Sequence, residues 1–320
     1  VSVQDDDPLY RASQTSPSSR TVRATMPALS SSVELGDGRA AAYEVIGEGP
    51  PVLYFQGGPG FSAALLRRDA ELIADRFAVY LIDPHGSGGS TPPADPSQYD
   101  HLGHARFYDE VRQALDVGYA TIMGISFGGV VALTYASLYP EATSRCVAVA
   151  SRAVGENVES EEAADEMQAF LARHSRQPWY PAARKTWDEW TDRVLAARDA
   201  REVDAMMAEV LPLYTADPDR PGVHAMIEEW REDMHSDLHA LKIWESGLWQ
   251  GIDVRPLLAE IKCPTLVLVG ALDLICGPAQ GRVVADAVPG AELAIIPDCG
   301  HFIAAEAPES FRHEILKFAG

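Results

Sequence analysis

Positive charge is scarce in this 320-residue chain: 26 Lys and Arg stand against 47 Asp and Glu, a formal net charge of −21. So large an acidic excess argues against binding nucleic acid or an anionic membrane through bulk electrostatics. A neutral or cationic small molecule is the easier partner. Long apolar runs are missing too, since no stretch approaches the ~18 consecutive apolar residues of a membrane span. Residues 1–27 are rich in Ser, Thr, Asp and Pro and lack the apolar stretch of a signal peptide. Cysteines are few, and Cys146, Cys263, Cys276 and Cys299 show no metal-ligand spacing. In a chain of this length they read as reduced thiols. No internal repeat is present. The expectation is a cytoplasmic protein with no nucleic-acid or membrane partner, its homo-oligomerisation left open.

What is present is an ordinary globular composition, 47% hydrophobic and 23% charged. The length allows one large domain or two modest ones, with a core that needs neither disulfide nor metal. Residues 1–30 read as a flexible polar tail. Residues 32–35 and 39–45, joined by Asp37-Gly38, read as a hairpin. Apolar runs at 52–55, 77–82, 119–123 and 146–150 read as buried strands. Between them lie helical patterns at 63–75, 104–115 and 130–138. Beyond residue 256 the alternation resumes, with strands at 265–270 and 291–296 and helices at 279–287 and 308–318. Continuous apolar strands alternating with helices predict an α/β fold, a mostly parallel twisted sheet covered by helices on both faces.

The rhythm breaks between residues 153 and 247. No strand pattern occurs there, and five stretches (161–174, 183–197, 202–211, 223–234 and 238–244) read as helices. The predicted organisation is an α/β core, 31–152 and 248–320, interrupted by an all-helical lid, 153–247.

The chemistry is carried by Gly124-Ile-Ser126-Phe-Gly128, a G-x-S-x-G pentapeptide between a predicted strand and a predicted helix. The pentapeptide alone is common; its context gives it weight. Small residues on either side of the serine permit a sharp strand-to-helix turn that lifts the Ser126 hydroxyl above the sheet. The Phe127 N–H then lies at a helix N-terminus, where an oxyanion is favoured. A serine nucleophile needs a general base and an acid to orient it. His301 follows one late strand and Asp273 another, both on the sheet edge where ligands bind. Asp253 and Asp298 are the rival acids, the first lying before its strand and the second only three residues from His301. The other histidines fall in helices or earlier loops. Gln56-Gly-Gly58-Pro-Gly60 ends an early strand, either as a plain turn or as a loop that aims the Gly58 N–H at the same oxyanion.

Together these segments resemble the α/β-hydrolase superfamily, and within it the proline-iminopeptidase-like branch. The likeness rests on Gln56-Gly-Gly-Pro-Gly60, Asp83-Pro-His-Gly86-Ser-Gly88-Gly-Ser90, Gly124-Ile-Ser126-Phe-Gly128-Gly129, Asp273 and Cys299-Gly300-His301, over about 220 residues outside the helical insertion. It implies a Ser126–His301–Asp273 triad, an oxyanion hole from Phe127 and Gly58, and no metal or organic cofactor. One departure is plain: the branch has histidine where this chain has Gln56.

In that branch the insertion is a lid whose carboxylates hold the substrate's free amino group. Here the acidic candidates are Glu156, Glu159, Glu161, Glu162, Glu166, Glu228, Glu229, Glu232 and Glu245, several of them expected to be solvated helix faces. Trp187, Trp190, Trp230, Trp244 and Trp249 line an acyl pocket or fill the lid's core. The resemblance therefore implies an aminopeptidase or amidase acting on small peptides or amino-acid amides. A carboxylesterase, methylesterase or lactonase is the alternative, and a non-hydrolytic receptor of the same fold is the rival of another class.

Overall fold

Eight strands carry the architecture of the computed structural model, which describes residues 28–155 and 160–320. Residues 1–27 of the expected tail, with Glu156 and Glu159, lie outside the described residues; Leu29, near the end of that stretch, is buried. β1 (Ser31–Glu34) and β2 (Ala40–Ile46) form the expected hairpin, with Gly38 at positive φ in its turn. β3 (Pro51–Phe55), β4 (Ala78–Ile82), β5 (Ala120–Ile125), β6 (Thr143–Val149), β7 (Thr265–Gly270) and β8 (Glu292–Ile296) complete one sheet. Its order is β1-β2-β4-β3-β5-β6-β7-β8, parallel from β4 to β8 and antiparallel at the β1 and β2 edge.

The central strands are buried on both faces, which is why they read as unbroken apolar runs rather than alternating ones. Successive side chains still divide between the faces. Leu53 and Phe55 of β3 join a core built with α2 (His101–Ala114) and α3 (Phe127–Leu138). Val52 and Tyr54 join the opposite core, beside α1 (Arg67–Glu71) and the last helix of the chain. Cys146, Cys263, Cys276 and Cys299 are all buried free thiols.

Between β6 and β7 the described residues are helical: α4 (Glu161–His174), α5 (Tyr180–Asp188), α6 (Trp190–Ala196), α7 (Ala200–Val210), α8 (Pro221–Asp233) and α9 (Leu238–Ile243). Short turns and a 3₁₀ helix, Leu211–Tyr214, connect them, and the extended structure among these described residues is one isolated bridge, Val154 to Asp253. These helices build a third apolar cluster of their own, which takes in Phe61 from the core, while Ala240 and Trp244 pack into the α2–α3 core. α10 (Arg255–Leu258), α11 (Pro278–Ala287), α12 (Ile303–Glu306) and α13 (Pro308–Ala319) follow. Among the described residues, no helix is long and apolar enough to cross a membrane.

Two expected helices are broken. The stretch 63–75 is a 3₁₀ turn, Ala63–Leu66, followed by the short α1, because Leu66 leaves helical geometry at ψ 1°. The stretch 183–197 is divided at Glu189, whose ψ of 5° separates α5 from α6.

Candidate active site

Ser126 stands between β5 and α3 with φ 55° and ψ −123°, a left-handed conformation for a residue with a side chain. Such a backbone costs on the order of 1–3 kcal/mol and persists only where its surroundings enforce it. The enforcement is visible: Ser126 N donates to Val149 O at 2.9 Å, and the Ser126 carbonyl accepts from Gly129 N at 3.0 Å and Ser151 Oγ at 2.8 Å. The turn also requires Gly124, because a Cβ there would overlap the Gly128 carbonyl. Gly124→Ala is therefore expected to lower stability by about 2–4 kcal/mol through forced backbone displacement. A denaturant melt checks this, and a wild-type midpoint would exclude so tight a turn.

Phe127 opens α3, so its N–H lies in the first turn and has no acceptor within the helix. Gly57 abuts the serine from the other side; a Cβ on it would lie 2.9 Å from Ser126 Cβ and 2.7 Å from Ile125 O. The chain turns away at Gly58, φ 66°, so the Gln56–Pro59 loop and the Phe127 end of α3 face one cavity.

His301 and Asp273 come from the loops after β8 and β7 and meet at 2.8 Å, His301 Nδ1 to Asp273 Oδ2, with 2% and 1% of their surfaces exposed. Asp273 Oδ1 already accepts from Ile275 N at 2.7 Å and Cys276 N at 3.1 Å. Acting as acceptor on both oxygens, the carboxylate fixes the proton on Nδ1 and leaves Nε2 as the open nitrogen. The rival acids lie elsewhere: Asp253 is paired with Arg255, and Asp298, at φ 53°, makes no contact with the imidazole. Of the earlier histidines, His85 and His104 pack against each other beside Phe127. Burial pushes His104 down to about 4, and burial with the neighbouring His104 pushes His85 down to about 2.

Ser126 and His301 line one cavity of about 620 Å³ beneath the helical segment. Its walls carry Trp187, Trp190, Trp230, Trp244 and Trp249, and Met167, Met207, Met226 and Met234 fill the gaps between them. Among the described residues, three carboxylates reach it. Glu245 accepts from Trp190 Nε1 at 2.9 Å and Thr191 Oγ1 at 2.6 Å, and Glu229 pairs with Arg68 at 2.5 Å. Asp69 accepts from Tyr54 OH at 2.7 Å, and burial pushes its carboxyl up to about 7. Of the other acids named for the segment, Glu162 pairs with Arg282 and Glu166 accepts from Ala279 N, tying α4 to α11, while the Glu232 side chain lies outside the described residues. Glu228 pairs with Arg231, and Glu161 is exposed.

A family model for the alpha/beta hydrolase fold matches residues 50–308. The chain belongs to the α/β-hydrolase family. It is a serine-dependent hydrolase. Its relatives include a pimeloyl-[acyl-carrier protein] methyl ester esterase of Chromobacterium violaceum, 26% identical over 81% of this chain and 89% of that one. A proline iminopeptidase of Levilactobacillus brevis is 24% identical over 86% and 91%. Among solved structures, the enol-lactonase from Burkholderia xenovorans superposes with a TM-score of 0.67 at 22% identity, covering 90% of this chain and 99% of that one. The resemblance to α/β hydrolases thus holds, with proline iminopeptidases among the similar proteins.

Several cavity groups escaped sequence reasoning. Arg68 and Asp69 sit in a stretch that reads as an ordinary amphipathic helix, and Ser151, which holds the Ser126 carbonyl from outside the cavity lining, is remote from the pentapeptide in sequence. The order of strands alone brings them to the serine.

Proposed function

We propose that Ser126, His301 and Asp273 form a catalytic relay that hydrolyses neutral carboxylic esters or lactones with an apolar acyl part. The observation that carries the substrate class is the cavity: its walls are largely indole, thioether, phenyl and aliphatic groups, and each described carboxylate reaching it already holds a partner. A substrate ammonium would have to compete with the donors already on those carboxylates, Arg68 on Glu229 above all, whereas an apolar acyl chain displaces only water.

Ser126 Oγ attacks the ester carbonyl while His301 Nε2 takes its proton. Asp273 keeps Nδ1 protonated and steadies the imidazolium that forms. The N–H groups of Phe127 and Gly58 receive the developing oxyanion, each worth about 3–4 kcal/mol by analogy with other acyl-transfer enzymes. His301 returns the proton to the leaving alcohol, then activates the water that releases the acyl group. Residues 153–247 act as the lid that excludes bulk water from these steps.

The second reading is the aminopeptidase one. Glu229 and Glu245 both face the cavity, and proline iminopeptidases are among the relatives. Alanine and proline nitrophenyl esters, each with the amine free or acetylated, separate the two without changing the leaving group. The ester reading expects acetylation to leave kcat/KM unchanged or raised. A loss of about tenfold or more on acetylation establishes recognition of the ammonium instead. Stoichiometric labelling of Ser126 by a fluorophosphonate is expected in both cases, and its absence identifies a receptor.

A further inference from the structure

The loop that presents His301 has almost no regular structure of its own. It lies between the end of β8 at Ile296 and α12 at Ile303, yet its last three peptide donors are all taken. His301 N donates to Tyr214 O at 2.7 Å. Gly300 N and Phe302 N, on either side of it, donate to the two oxygens of one buried carboxylate, Glu306, at 3.0 and 3.3 Å. The same carboxylate accepts from Ala216 N, in the helical segment, at 2.8 Å. Arg220 adds two more links, from Nη1 to Glu306 O at 2.7 Å and from Nη2 to Asp298 O at 3.1 Å.

We propose that Glu306 is a positioning residue for His301, clamping the peptide groups on both sides of the imidazole to Ala216 of the helical segment, beside the His301 N bond to Tyr214 O. Ordinary loop anchoring does not require a buried carboxylate. Glu306 is 5% exposed, and burying its charge is costly unless the hydrogen bonds are made. All three donors that meet the carboxylate are main-chain groups of the two elements whose relative placement sets where Nε2 points. Asp273 orients the ring about its own axis, and Glu306 fixes the backbone from which the ring hangs. Through Ala216 and Tyr214, a displacement of the helical segment is transmitted to the base. The inference rests on His301 acting as the base proposed above.

Glu306→Ala and Glu306→Gln test it, with turnover expressed per fluorophosphonate-labelled site so that loss of folded protein does not count. The alanine variant loses the whole clamp. Its kcat is expected to fall about 10²-fold, with KM changed by less than about threefold, as for a misplacement of the reacting groups by roughly 1 Å. Glutamine keeps at most two of the three bonds, so its kcat is expected to fall about fivefold and stay well above that of alanine. The downfield proton resonance of His301 Nδ1–H, assigned by its loss in His301→Ala, broadens in the alanine variant and persists in the glutamine one. If alanine prevents folding, the glutamine variant carries the test alone. Wild-type kcat per labelled site together with an unchanged resonance, in either folded variant, overturns the proposal. Should His301→Ala itself hydrolyse ester at the wild-type rate, the assignment of the base fails instead.

Discussion

Ser126→Ala is expected to abolish turnover while leaving the fold in place: kcat on a good ester falls about 10⁶-fold, the scale seen when a triad nucleophile is removed. The residual rate comes from binding and the oxyanion donors alone. The backbone at Ser126 is held by Val149 O, Gly129 N and Ser151 Oγ, and the hydroxyl takes no part in those bonds. The melting temperature should therefore stay within a few degrees of wild type. Single-turnover assays on purified variant, free of contaminating esterase, make the measurement. A variant that hydrolyses ester at a rate near wild type would falsify the assignment of the nucleophile.

The second large effect is expected at Asp273, the proposed orienting acid. In Asp273→Asn one amide oxygen still accepts from Ile275 N and Cys276 N, so the amide NH₂ is forced toward His301 Nδ1. Nδ1 must then accept, the proton moves to Nε2, and the imidazole can no longer take the serine's proton. The analogous substitution in a well-studied serine protease lowers kcat about 10⁴-fold by this change of tautomer, and a similar fall is expected here. Raising the pH should not restore the rate, because the tautomer and not the charge is at fault. Ester hydrolysis from pH 6 to 10 checks this; full recovery at high pH would point to a different role for Asp273.

The parts of the fold that were legible in the sequence share one physical cause. Strands β3, β5 and β7 are buried on both faces, so their apolar runs are continuous and end sharply where loops leave the sheet. Parallel order from β4 to β8 then sends those strand ends to one side, which is why the loops carrying Ser126, Asp273 and His301 could be expected together from position. The helical insertion was recognisable from its lack of strand pattern. The breaks in two helices, one in the core at Leu66 and one in the insertion at Glu189, were not, because both are ordinary helix formers whose backbone angles are set by the packing around them.

Glu306 was invisible for a deeper reason. It acts on peptide N–H groups, which every residue but proline carries, so no side-chain pattern marks its targets. Glu229 and Glu245 could be named as acids but not sorted. Whether a carboxylate is available depends on partners such as Arg68, far away along the chain and close in space. Gln56 is buried to 6% exposure and lines the same cavity as Ser126, so the departure from the branch's histidine lies in the wall of the candidate site itself.

Five of the six tryptophans stand around that chamber, and the sixth, Trp179, lies against α4 beside His174. Nearly all of the molecule's intrinsic emission therefore originates within reach of whatever occupies the serine's cavity. Filling the chamber changes the polarity and quenching felt by several indoles together. The protein thus reports its own occupancy optically, without a label.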